Sequence, residues 1–187
     1  MRLHATTFAL TALALVGCSK LAPRVDDAMV AARAQGAVAG YRTALKAELG
    51  AAIAKGPVEA IEVCASRAPA LAIEHSQGGV RVGRTSAKLR NLANAAPEWL
   101  GPVMAQLATS PKGSTEGRLV PLGGGRFGYA EPIWTQAACL TCHGTAIPID
   151  VDLQIQARYP GDAARGYREG ELRGVYYAEL DRSAAKR

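Results

Sequence analysis

The chain has 187 residues, 49% hydrophobic and 20% charged. That is a globular composition with length enough for one domain and its own core, and it excludes a disordered chain. The net charge is +6, but acidic and basic residues alternate with no run of one sign. This excludes a nucleic-acid-binding stripe and leaves a mild attraction to anionic membranes or acidic redox partners.

Met1 and Arg2 precede an apolar run, Thr6 to Val16, too short to span a bilayer stably. The run ends in Leu15-Val16-Gly17-Cys18, which matches a bacterial lipobox. Residues 1–17 therefore read as a lipoprotein signal peptide, Cys18 as the lipidated residue and residues 18–25 as a tether. An ordinary secretory signal cut nearby is the alternative, and both readings export the chain. The expected site of action is the periplasmic face of a membrane.

A domain is expected over residues 26–182, with a polar tail at 183–187. Asp26 to Lys55 is alanine-rich and free of proline, with Val30, Ala34, Val38, Leu45, Leu49 and Ile53 near helical spacing. Gly56-Pro57 stops this helix and starts a second that runs to about His75, where Gly78-Gly79 ends it. Val80 to Gly83 alternates as a short strand, residues 84–96 form a polar loop, and Pro97 to Ala108 is a short helix. Arg118 to Leu122 and Arg126 to Trp134 read as a hairpin about Gly123-Gly124-Gly125. Val151 to Tyr159 is a short helix and Glu171 to Leu180 a final strand whose alternation is imperfect. Helices followed by an antiparallel sheet give an α+β fold.

The chain has four cysteines: Cys18, Cys64, Cys139 and Cys142. Cys139-Leu140-Thr141-Cys142-His143 is the C-x-x-C-H signature of covalent c-type haem. Its two thiols are spaced to add across the haem vinyl groups, and the adjoining histidine supplies an imidazole to the iron. A zinc site would need further ligand pairs and a thioredoxin-like pair an early βαβ unit; neither pattern is present. One motif implies one haem c, with iron. Candidates for the second axial ligand are Cys64, His75, Met29 and Met104, or the position stays open. Arg84 and Arg90 are candidate partners for the haem propionates, or solvated charges.

Several blocks together resemble a known family. They are Val82-Gly83-Arg84-Thr85 through Pro97-Glu98-Trp99, Cys139 through Gly144, Tyr159-Pro160-Gly161-Asp162 through Gly166-Tyr167, Gly170 through Gly174, and Ile61-Glu62-Val63-Cys64. They resemble the Tll-like family of exported haem domains over most of residues 30–180. Leu92 departs from the pattern, which has proline there. The resemblance implies a PAS-like antiparallel sheet with long N-terminal helices and a single covalent haem. It also implies iron ligation by His143 and by Cys64 on the second helix.

A thiolate ligand stabilises ferric iron and gives a low potential, and six-coordination leaves no open position for substrate. The expected function is electron transfer, or redox or small-ligand sensing, with a redox partner protein or a small ligand, a membrane contact through lipid, and no nucleic acid. No kinase or cyclase segment follows Leu180, which favours electron transfer. No catalytic residue is assigned. The alternative is a peroxidase-like haem enzyme with an openable distal face, for which His75, Arg84 and Arg90 are the acid–base candidates.

Overall fold

The structure is a computed structural model and describes residues 25–186. Cys18 and the expected signal peptide and tether up to residue 24 lie outside them. Helix α1 spans Val25–Ile53. It buries Val30, Ala34, Val38, Tyr41 and Leu45 completely or nearly so. The expected stripe holds as far as Leu45 and then drifts. Ala52 is buried in place of Ile53, which is 47% exposed, because a long straight helix rotates its apolar face away from a fixed surface.

The second helix is not uniform. It comprises α2 (Pro57–Glu62), a π-helical turn (Val63–Arg67) and α3 (Ala68–Glu74). Pro69 has no N–H to offer the carbonyl four residues back, and the Ala68 amide instead reaches the Val63 carbonyl, five residues back. Cys64 lies within this wide turn.

Strands β1 (Val80–Thr85), β2 (Arg118–Gly123), β3 (Arg126–Trp134) and β4 (Leu172–Asp181) form one antiparallel sheet in the order β1-β4-β3-β2. The β2–β3 turn carries Gly124 at φ 59° and Gly125 at φ 79°. Two successive positive φ values suit a two-residue hairpin and favour glycine.

Both faces of the sheet are covered. On one, Val80, Val82, Phe127, Tyr129, Tyr176, Ala178 and Leu180 pack against α1 and α3. On the other, Ala130, Val175 and Tyr177 pack against α4 (Leu100–Ala108) through Leu100, Val103 and Leu107. Leu100 and Leu107 are fully buried, each contributing about 1.5–3 kcal/mol relative to exposure. The imperfect alternation of β4 follows from this cover: Gly174 to Ala178 are all buried.

The last segment corrects the expectation of a polar tail. Residues Arg182–Lys186 form a 3-10 turn. Ala184 is fully buried in the α1-side core, and Arg182 donates to Asp27 at 2.6 Å. Small alanines in that stretch fit beneath α1, which a charge count does not reveal.

Candidate functional site

The motif is a compact local structure. A 3-10 turn, Ala137–Cys139, runs into the single helical turn α5 (Leu140–His143). The Gln136 amide donates to Cys139 Sγ at 3.4 Å. Gly144 closes the turn by donating to the Leu140 carbonyl at 2.8 Å, and a Cβ there would lie 2.6 Å from that oxygen. The glycine after the histidine is thus a close-approach requirement.

His143 is largely buried. Its Nδ1 lies 2.8 Å from the Ala164 carbonyl, so Nδ1 carries the proton and Nε2 keeps the lone pair. Burial, then Arg173 and Arg90, push its pKa down to about 3, with Ala164 and Asp162 opposing. The imidazole is neutral throughout the physiological range, the form that ligates a metal.

Cys142 packs against the cluster formed by Ile61 of the second helix with Val151, Ile155 and Tyr159, as does Ala65. Val151, Ile155 and Tyr159 belong to helix α6 (Ile149–Arg158) and its end. Burial raises the Cys142 thiol pKa; Arg90 opposes this and the sulfurs of Cys64 and Cys139 add to it. Cys64 likewise bears on Tyr41 and Tyr159, two hydroxyls raised first of all by burial. Cys64, Cys139 and Cys142 are free thiols that share one neighbourhood.

The other ligand candidates have different surroundings. His75 packs on α1, where its Nδ1 would be 3.2 Å from a Cβ placed at Gly40 and its ring is 6.3 Å from that of Tyr41. Met29 is 42% exposed. Met104 packs with Trp99 and Leu172 on the α4 side. A bare structural zinc ion calls for four donors; among the described residues no group of three or more His, Cys, Asp or Glu is placed to hold a metal ion.

The arginines divide into two kinds. Arg90 is committed: it pairs with Asp162 at 3.0 Å and donates to the Cys142 and Ala164 carbonyls. Arg84 stands in the cross-strand row Arg84–Tyr176–Glu131 beneath α1. Burial tends to lower its pKa, but Cys64, Tyr41 and Tyr176 outweigh this and leave it raised. At the other end of that row, Glu131 is held by Arg42 and by the Tyr129 hydroxyl at 2.9 Å.

Arg173 escapes sequence reasoning altogether. It stacks 4.9 Å from the Tyr167 ring centroid and donates to Ser86 Oγ at 3.1 Å. Its Nη2 lies 3.3 Å from each nitrogen of His143. Burial lowers its pKa, Tyr167 opposes, and Arg84 and Arg90 add to the fall. Its Nε is buried without a hydrogen-bond partner among the described residues. The one available signal was its place in the Gly170–Gly174 block.

These features fit a haem. Two thiols precede a neutral imidazole whose orientation is fixed from Nδ1. A third thiol lies nearby. Arg84 and Arg173 are partly buried and have no carboxylate partner among the described residues, and haem carries two carboxylates.

A family model described as Tll0287-like matches residues 22–180. The chain belongs to the Tll0287-like family. Among solved structures it is similar to the cyanobacterial heme-protein Tll0287, with 28% identity and a TM-score of 0.53, over 62% of this chain and 70% of that one. No curated protein matches it. The expected α+β fold, N-terminal helices followed by an antiparallel sheet, is the fold of this Tll0287-like chain.

Proposed function

We propose that this chain is an exported electron-transfer protein that holds one haem c. Cys139 and Cys142 supply the thioether attachments, and His143 and Cys64 are the axial ligands. The observation that carries the reading is the His143 imidazole. It directly follows the two thiols, its Nδ1 proton is held by the Ala164 carbonyl at 2.8 Å, and its Nε2, which has Arg173 Nη2 at 3.3 Å, carries the lone pair that an iron would take. The description of the solved relative as a heme-protein supports the same cofactor.

When bound, haem supplies a one-electron ferric–ferrous couple. The protein's part is to hold and tune it. Helix α5 and Gly144 fix the spacing of thiols and imidazole. Ile61, Val151 and Ile155 keep water from the Cys142 side. Arg84 and Arg173 offer positive charge for carboxylates. A thiolate from Cys64 donates charge and favours the ferric form, giving a low potential. If His143 and Cys64 both held the iron, no open position would remain for a substrate, which favours electron transfer over catalysis. Sensing of a small ligand would require Cys64 to leave.

The direct test is denaturing electrophoresis of protein made in a host with intact cytochrome c maturation. The band is expected to stain for haem, and a colourless band from such a host refutes the reading. For location, we propose that lipid on Cys18 anchors the domain to a membrane. Among the described residues no helix is long and apolar enough to cross one. Cys18→Ser is expected to move the protein from the membrane to the soluble fraction; unchanged membrane association counts against lipidation.

A further inference from the structure

The segment after α6 is stitched to the motif along the backbone. The Tyr167 amide donates to the His143 carbonyl and the Gly166 amide to the Gly144 carbonyl, both at 3.0 Å, and the Ala163 amide donates to the Leu89 carbonyl at 2.8 Å. One ion pair ties these strips together. Arg90 Nε and Nη2 reach the two oxygens of Asp162 at 3.0 and 3.3 Å. The same Nη2 donates to the Cys142 carbonyl at 2.5 Å and to the Ala164 carbonyl at 3.3 Å. Asp162 in turn accepts from the Ala164 amide at 2.9 Å and from Arg165 Nε at 2.7 Å. The side chains of Arg90 and Asp162 are 11% and 3% exposed. The pair is therefore far drier than the surface salt bridges that contribute little.

Ala164 is held from both ends, its N–H by Asp162 and its carbonyl by Arg90. That carbonyl is also the partner of His143 Nδ1. The peptide that orients the histidine is thus itself oriented by the ion pair, which also grips the carbonyl of the residue just before the histidine. Partners of this kind fix the ring orientation of a metal-binding histidine and tune the metal.

We propose that Arg90 and Asp162 are positioning residues for the axial histidine, setting its ring orientation through the Ala164 carbonyl by geometry rather than by charge. The proposal rests on His143 being the haem ligand. It assigns Arg90 to this work and away from the haem carboxylates. Lysine at position 90 keeps the charge, but its three N–H groups radiate from one nitrogen in place of a planar fork, so it cannot span both Asp162 oxygens and both carbonyls together.

The test uses the full-length haem-loaded protein and the variants Arg90→Lys, Arg90→Gln and Asp162→Asn. The readouts are ferric paramagnetic resonance and reduction potential. All three are expected to keep haem on a denaturing gel but to show a second low-spin species beside the single wild-type one, Arg90→Lys included. A charge effect alone leaves Arg90→Lys like wild type and shifts the potentials of Arg90→Gln and Asp162→Asn in opposite directions. That result overturns the proposal. Should the variants fail to fold, wild-type protein with 15N-labelled histidine decides: the His143 Nδ1 proton is expected to exchange slowly with solvent, and fast exchange overturns the proposal. If wild-type protein carries no haem on the gel, it is the underlying reading that fails.

Discussion

Cys64→Ala is expected to keep its covalently attached haem, lose the ferric low-spin spectrum of a thiolate-ligated iron, and bind carbon monoxide readily when reduced. The reduction potential should rise, within the roughly 0.8 V range that axial ligation covers. The thiol is only partly buried, so the cost in stability should be about 1 kcal/mol. The π turn over Val63–Arg67 adds one residue to the helical circuit, and one residue turns a side chain by about 100°. Cys64 and Ala65 sit inside the turn, and Ala65 packs in the cluster that holds Cys142. A single wide turn inside a helix is a recurrent feature of functional sites. Arg84 lies beside the thiol, so an anion there has a cationic neighbour. A ferric spectrum and potential unchanged by the substitution would remove Cys64 from the ligand set. The intermediate case of Cys64→Met should keep a six-coordinate iron and raise the potential, because a neutral thioether replaces an anionic sulfur.

What could be read from the chain follows from how local each signal is. The α1 stripe, the Gly123–Gly125 hairpin and the haem motif are contiguous patterns, and each lies where periodicity or spacing puts it. Tyr41 is outside the apolar stripe that the sequence predicts, although it is 1% exposed. Its place becomes plain only with Tyr176 set edge-on against it at 5.9 Å from a distant strand. The imperfect alternation of β4 is the expected pattern for a strand covered on both faces, but sequence alone does not say that α4 covers the second. Glu131 and Arg173 are charged residues in strands, which pattern reasoning assigns to solvent. One is buried by its partners Arg42 and Tyr129, the other by Tyr167, Ser86 and His143. The role of Ala164 has no side-chain signature at all, since it acts through a carbonyl. Cys64 was one of several candidates on residue chemistry, and only the family resemblance singled it out. In the fold Cys64 acts on the Cys142 thiol, whereas Met104 packs on the α4 side and Met29 is 42% exposed.

The two motif cysteines should prove unequal. Cys139→Ser with Cys142→Ser is expected to abolish covalent haem, giving a colourless band on a denaturing gel even if some pigment remains bound in the native protein. Singly, Cys142→Ser should be the more damaging. Its sulfur belongs to the apolar cluster of Ile61, Ala65, Val151, Ile155 and Tyr159, and a hydroxyl placed there costs about 1–3 kcal/mol if no partner is found. Cys139 instead receives a hydrogen bond from the Gln136 amide at the start of the turn, and a serine oxygen can accept in its place. Cys139→Ser should therefore accumulate as folded protein with haem attached through one thioether, and its alkaline pyridine spectrum should shift to longer wavelength because one vinyl group remains unsaturated. Equal yields and equal spectra from the two single variants would contradict this asymmetry. A haem-stained double variant on that gel would contradict thioether attachment at these two cysteines, because coordination by His143 and Cys64 alone does not survive denaturation.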